Sequence, residues 1–129
     1  MMPRTLLWRV LALIAAATVL SGLVQMVRPS LVLRTIGGDL TPASSHFFGI
    51  VGMFMVLFGG AMLHALLSAV PQPIVVLWAS LQKFGAAVAV GLGVGHGIFS
   101  ALALLVAGFD LLSGVLMYWY WLHLPRSAS

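Results

Sequence analysis

The chain has no cysteine. That excludes disulfides, thiol catalysis and thiolate-ligated metals, and says nothing about redox compartment. It is almost as poor in charge. Only 6% of its 129 residues are charged, against roughly 25% in an ordinary soluble domain. The acids are Asp39 and Asp110. The bases are Arg4, Arg9, Arg28, Arg34, Lys83 and Arg126. A compact soluble fold needs a large polar surface that these residues cannot supply. Disorder is excluded as well, because 62% of the chain is hydrophobic and disorder requires low hydrophobicity. The net charge of +4 comes from arginines scattered between apolar runs. They make no basic patch, so nucleic acid is not expected as a partner. What remains is an integral membrane protein, with membrane lipids as its surroundings.

The uncharged runs are long. Between Arg9 and Arg28 lie 18 residues, between Asp39 and Lys83 lie 43, between Lys83 and Asp110 lie 26, and between Asp110 and Arg126 lie 15. A spanning helix needs about 20 mostly apolar residues, and lipid forces each span to pair its backbone internally. Breakers divide the runs: Pro29, Gly37, Gly38 and Pro42, then Pro71-Gln72-Pro73, then Gly95-His96-Gly97. The pattern predicts an all-α, four-helix antiparallel bundle with short loops, one transmembrane domain over 1–129, with helices at about 8–27, 44–69, 74–95 and 98–123. The 28–43 segment is the one long loop. Its Leu31-Val32-Leu33 stretch suits the membrane surface.

Met1 to Arg9 followed by an apolar run has the form of a signal peptide. Its 18-residue apolar part exceeds the usual 7–15 or so, and no small-x-small cleavage site follows. The first helix is therefore expected to be retained. Arg4, Arg9 and Arg126 outnumber Arg28 and Arg34 three to two, which favours both termini on the cytoplasmic side by the positive-inside rule. Trp8, Trp78, Tyr118, Trp119, Tyr120 and Trp121 all fall toward one face in this arrangement, as interfacial aromatics do.

Lys83 and Asp110 each sit near the middle of an uncharged span. Counted from His96, one lies 13 residues before and the other 14 after, or roughly 20 Å along each helix. They are expected at matched depth on adjacent helices. An isolated charge there costs at least ~2.5–3.5 kcal/mol, and pairing reduces that cost. Ala103, Ala107, Ser113 and Gly114 share the Asp110 face. Ser80, Ala87 and Gly91 fall near the Lys83 face. Small residues let helices approach closely in lipid. Two readings stay open: an ion pair that fixes helix register, or a polar pocket for a ligand or proton.

The second helix carries Ser45, Gly49, Gly52, Val56, Gly59 and Leu63 on one stripe, expected to pack against a neighbour. Gly114 does the same on the fourth helix. On the first, Thr18, Gly22 and Gln25 share a face, with Gln25 as an interhelical hydrogen-bonding group. Of the four histidines, His46 and His96 lie near one membrane edge and His123 near the other. None pairs at the i, i+4 spacing of a helical metal site, so no metal or cofactor is expected. His64 lies deeper. It either extends the Lys83–Asp110 site toward one face or hydrogen-bonds a neighbouring helix. The serines lack a nucleophile elbow or base partner. Gly91, Gly93, Gly95 and Gly97 do not spell a dinucleotide fingerprint.

Four short-looped helices, Arg28-Pro29 after the first, a glycine-spaced second helix, Lys83 in the third and Asp110-x-x-x-Gly114 in the fourth resemble the small bacterial DoxX-like membrane proteins. The resemblance spans nearly the whole chain and implies a plasma-membrane four-helix bundle. Some members are accessory subunits of quinone-linked oxidoreductases. The expected function is a small inner-membrane protein that is a non-catalytic subunit or holds a lipophilic ligand. The alternatives are a component of a quinone-linked or lipophilic-substrate enzyme, with Asp110 and His64 handling protons, and a small oligomeric transporter. A quinone-like molecule, a larger membrane complex or further copies of the chain are the corresponding partners.

Overall fold

A computed structural model describes residues 5–125. All regular structure among them is helical: α1 (Leu6–Val27), α2 (Pro29–Thr35), α3 (Pro42–Leu67), α4 (Pro73–Gly95) and α5 (Ala103–Leu122). The starts follow local chemistry. Thr5 caps α1 by accepting a hydrogen bond from the Trp8 amide. Thr41 and Ser44 close a reciprocal capping box on α3, with bonds of 2.9 and 3.0 Å, which satisfies two otherwise orphan amides. Proline opens α2, α3 and α4, where its missing N–H costs nothing and its φ suits a helix.

Four helices, all but α2, are long and apolar enough to cross a membrane. Their 20–26 residues give about 30–39 Å, against a hydrocarbon core of about 30 Å. Their outer faces are studded with exposed side chains such as Leu13, Leu20, Phe47, Leu57, Val88, Leu105 and Leu112, a surface suited to lipid rather than water. Together these features suggest a multi-pass membrane protein.

The expected boundaries move in two places. The long loop contains α2, whose Leu33 is buried with Ile36 and Ala103 rather than lying free of the bundle. The fourth long helix starts at Ala103, not 98. Gly97 adopts φ +74°, a left-handed conformation that ends a helix cheaply only at glycine. The Phe99 ring then folds onto Gly93, where an added Cβ would lie 2.5 Å from it. Both the amide and the hydroxyl of Ser100 bond to the Ile36 carbonyl, at 2.8 and 3.1 Å. Residues 96–102 are thereby committed to a turn that packs against the α2 end.

The helices associate as two close pairs, α1 with α3 and α4 with α5, and the pairs meet along narrower α3–α4 and α1–α5 seams. Glycine makes the first pair close. A Cβ on Gly22 would stand 2.6 Å from the Gly52 carbonyl oxygen, and one on Gly52 would stand 2.7 Å from that of Gly22. The largest apolar cluster lies at the end where α1 begins. It joins Trp8, Leu11 and Ala15 to Met62 and Leu66, Val76 and Ala79, and Met117 and Tyr120. Two of the aromatics expected at the interface, Trp8 and Tyr120, are thus buried between helices, while Trp78 and Trp119 face outward. The Trp8 indole N–H donates to the Leu66 carbonyl at 2.9 Å, so its polar atom is satisfied without water.

Candidate functional site

Residues at the same level of α1, α4 and α5 form a polar centre. The ammonium Nζ of Lys83 donates to Asp110 Oδ1 at 3.2 Å and to Thr18 Oγ1 at 2.7 Å. Thr18 in turn donates to the Ile14 carbonyl at 2.8 Å, one turn back on its own helix. The Phe109 ring stands 5.2 Å from Nζ, within the range of about 6 Å over which a cation is attracted to an aromatic face. Lys83, Thr18 and Asp110 are all buried, Asp110 the least deeply at 9% exposure. Removed from water, each charge has its opposite as the nearest compensation, and the hydroxyl supplies a second hydrogen bond to the cation.

The backbone that allows this is built from small residues. Gly114 lets α5 approach α4, with an added Cβ only 3.2–3.3 Å from the Phe84 ring and Lys83 Cβ. Ser80, one turn before Lys83, donates to the Gly114 carbonyl at 2.9 Å. Ala103 and Ala107 are buried on the same face of α5. Ser113 is buried there too.

Lys83 and Asp110 are therefore brought together across the α4–α5 seam. His64 is not beside them. It is exposed on α3, and among the described residues no hydrogen bond joins it to the pair. His46, His96 and His123 are exposed as well, and among the described residues no group of three or more His, Asp or Glu is assembled for a metal. Gly52 and Gly59 pack on α1, the latter with a would-be Cβ 3.1 Å from the Ala15 carbonyl oxygen. Gly49 is looser, at 3.9 Å from its neighbours. Gly91, expected near the Lys83 face, has open space at its Cβ position. Gln25 donates to the Phe48 carbonyl at 2.9 Å, an interhelical bond as its position implied.

The participant that sequence reasoning missed is Thr18 as a partner of Lys83. Its signal was present: of the two hydroxyls in the first apolar run, Thr18 and Ser21, it is the one on the face with Gly22 and Gln25 already marked for packing. Nothing in the spacing said which helix that face would meet.

Two hollows open near the α3–α4 turn. One, of about 90 Å³, lies among Trp8, Leu66, Gln72, Val76, Tyr120 and Leu124. The other, of about 240 Å³, is an open apolar groove between Phe58 and Ala61 of α3 and Ile74, Trp78 and Ala79 of α4. Neither is lined by Lys83 or Asp110. Chemically, the polar centre can hold helices in register and bind a hydrogen-bonding group of very small size. Comparison of the chain with protein-family models, curated proteins and solved structures finds no match in any of the three.

Proposed function

We propose that this chain is a small integral protein of the bacterial inner membrane, a non-catalytic subunit or holder of a lipophilic ligand, in which Lys83 and Asp110 form a structural clamp. One observation carries the reading: a single ammonium group bonds to α5 through Asp110 and to α1 through Thr18. It thereby ties the α4–α5 pair to the α1–α3 pair. The apolar groove between Phe58 and Trp78 supports the lipophilic-ligand form of the reading, because it suits a hydrocarbon chain and lies apart from the charges. Both termini lie in the cytoplasm on this reading. Kinship with DoxX-like proteins remains part of the proposal, resting on helix order and the Lys83 and Asp110-x-x-x-Gly114 positions.

The test compares wild type, Lys83→Met, Asp110→Leu and the double variant in detergent. Thermal unfolding is followed together with mass spectrometry of co-purifying lipids and proteins. Breaking a buried pair by removing one member costs about 3–5 kcal/mol, whereas apolar replacement of both can be nearly neutral. A clamp predicts two unstable single variants and a double variant close to wild type that keeps its bound lipid or protein. Additive losses would show that the residues do not stabilise each other. A stable double variant stripped of its ligand or partner would make the pair a functional site and overturn the clamp.

A further inference from the structure

The two serines of the α4–α5 seam are both fully buried, and they differ in one respect. Ser80 donates to the Gly114 carbonyl. The Ser113 hydroxyl is buried with no hydrogen-bond partner. Such a group is destabilising, and folded proteins keep few of them. A hydroxyl within a helix ordinarily relieves itself on the carbonyl one turn back, as Thr18 does on Ile14 and Thr35 on Leu31. Ser113 does not.

Its neighbour explains where the hydroxyl can turn instead. Asp110 lies three residues earlier on the same buried face, and side chains at that spacing have Cβ atoms about 5–6 Å apart. Only Oδ1 of Asp110 receives Lys83. The second carboxylate oxygen accepts no hydrogen bond among the described residues. Lys83 uses two of its three N–H groups on Thr18 and Asp110. Two hydrogen bonds of about 2.8 Å laid end to end span about the Cβ separation that three-residue spacing gives on any helix.

We infer that Ser113 and the second carboxylate oxygen of Asp110 together bind one structural water molecule in the middle of the bundle. The pair is neutral as a whole, so the guest is uncharged. The burial of Ser80, Lys83 and Ser113, beside an Asp110 side chain that is 12% exposed, suits a guest as small as water. A buried water needs two to four polar partners. Ser113 and Asp110 supply two, and the remaining N–H of Lys83 is a third candidate. The result is a continuous chain of hydrogen bonds from the Ile14 carbonyl through Thr18, Lys83, Asp110 and the water to Ser113. It crosses α1, α4 and α5. The inference stands whether the ion pair is a clamp or a ligand site.

The sign of one substitution tests it. Without a bound water, Ser113→Ala deletes an unpartnered hydroxyl and raises the melting temperature or leaves it unchanged. With the water, Ser113→Ala removes one of its partners and lowers the melting temperature, by roughly 2–5 °C if the loss is near the usual hydrogen-bond scale. The lowering disappears in the Lys83→Met, Asp110→Leu background, because the other partner is gone. An equal lowering in both backgrounds would place the partner of Ser113 elsewhere, on the Phe109 carbonyl for instance, and overturn the proposal. Should the double variant not fold, an experimental structure near 2 Å resolution decides the matter. Ordered solvent within hydrogen-bond distance of Ser113 Oγ and Asp110 is expected, and its absence would overturn the inference.

Discussion

Gly52→Ala adds a single methyl group, and the geometry of α1 and α3 makes its cost calculable. The new Cβ would lie 2.7 Å from the Gly22 carbonyl oxygen, 2.9 Å from Gln25 Cβ and 3.0 Å from the Met26 amide nitrogen. None of these atoms is the movable end of a side chain. An ordinary carbon–oxygen contact needs about 3.3 Å, so α1 and α3 must separate by about 0.6 Å at that level. A radial gap of about 0.5–1 Å forfeits a quarter to a half of each van der Waals contact. Overpacking of this kind costs about 1–3 kcal/mol, and alanine recovers about 0.5–1 kcal/mol through better helix propensity. A net loss of about 0.5–2 kcal/mol is expected for Gly52→Ala, and likewise for Gly22→Ala. The neighbours along the same helix calibrate the argument. Gly59→Ala meets Val19 Cγ2 at 3.0 Å and the Ala15 carbonyl oxygen at 3.1 Å, and should cost less, whereas Gly59→Leu should cost as much as Gly52→Ala or more. Gly49→Ala, at 3.9 Å, and Gly60→Ala, with open space, should be neutral or stabilising. The assay is unfolding in mixed micelles, with all six variants measured side by side. A Gly52→Ala protein as stable as Gly60→Ala would refute the close approach of α1 and α3.

Gln25→Leu removes the bond to the Phe48 carbonyl and should cost about 0.6 kcal/mol, the average for interhelical hydrogen bonds in a membrane, and not more than about 1.7. Unfolding in the same micelles checks it, and a larger loss would mean that Gln25 holds more than this one bond. Reporter fusions at residue 129 and within 34–40 test orientation. The excess of arginine near the termini predicts a cytoplasmic signal from the first and a periplasmic signal from the second, and a periplasmic signal at residue 129 would reverse the assignment.

The four long helices were legible because lipid imposes a length and a polarity on each span, and the charges and breakers that delimit them are few. Lys83 and Asp110 were legible for the same reason: in a chain with so little charge, two charges in mid-span stand out, and counting outward from one turn gives their depth. What the count could not give was the shape of the turn itself. Ser100 bonds to Ile36, far away in sequence, and the Phe99 ring folds back onto Gly93, and these contacts delay α5 to Ala103. The burial of Leu33 was hidden in the same way. A seven-residue helix that follows Arg28 and carries Arg34 suits the membrane surface by composition alone, and only packing with Ile36 and the distant Ala103 draws it in.

The three kinds of helix contact in this bundle follow from one property of the solvent. Lipid tails are as apolar as leucine, so burying leucine between helices gains little there, and association depends on close packing and interhelical hydrogen bonds. The α1–α3 pair uses close packing, through Gly22 and Gly52. The α4–α5 pair uses both, through Gly114 and the Ser80 bond to its carbonyl. The α1–α5 seam has no glycine contact of that kind, and between the two pairs it is the Lys83–Thr18 bond that crosses, from α4 to α1. A charge in mid-span is expensive to insert, but once Asp110 compensates it, the spare N–H groups of the ammonium make bonds whose loss would leave a charge under-solvated in lipid. That penalty, rather than the strength of the bond itself, is what holds the second helix pair against the first.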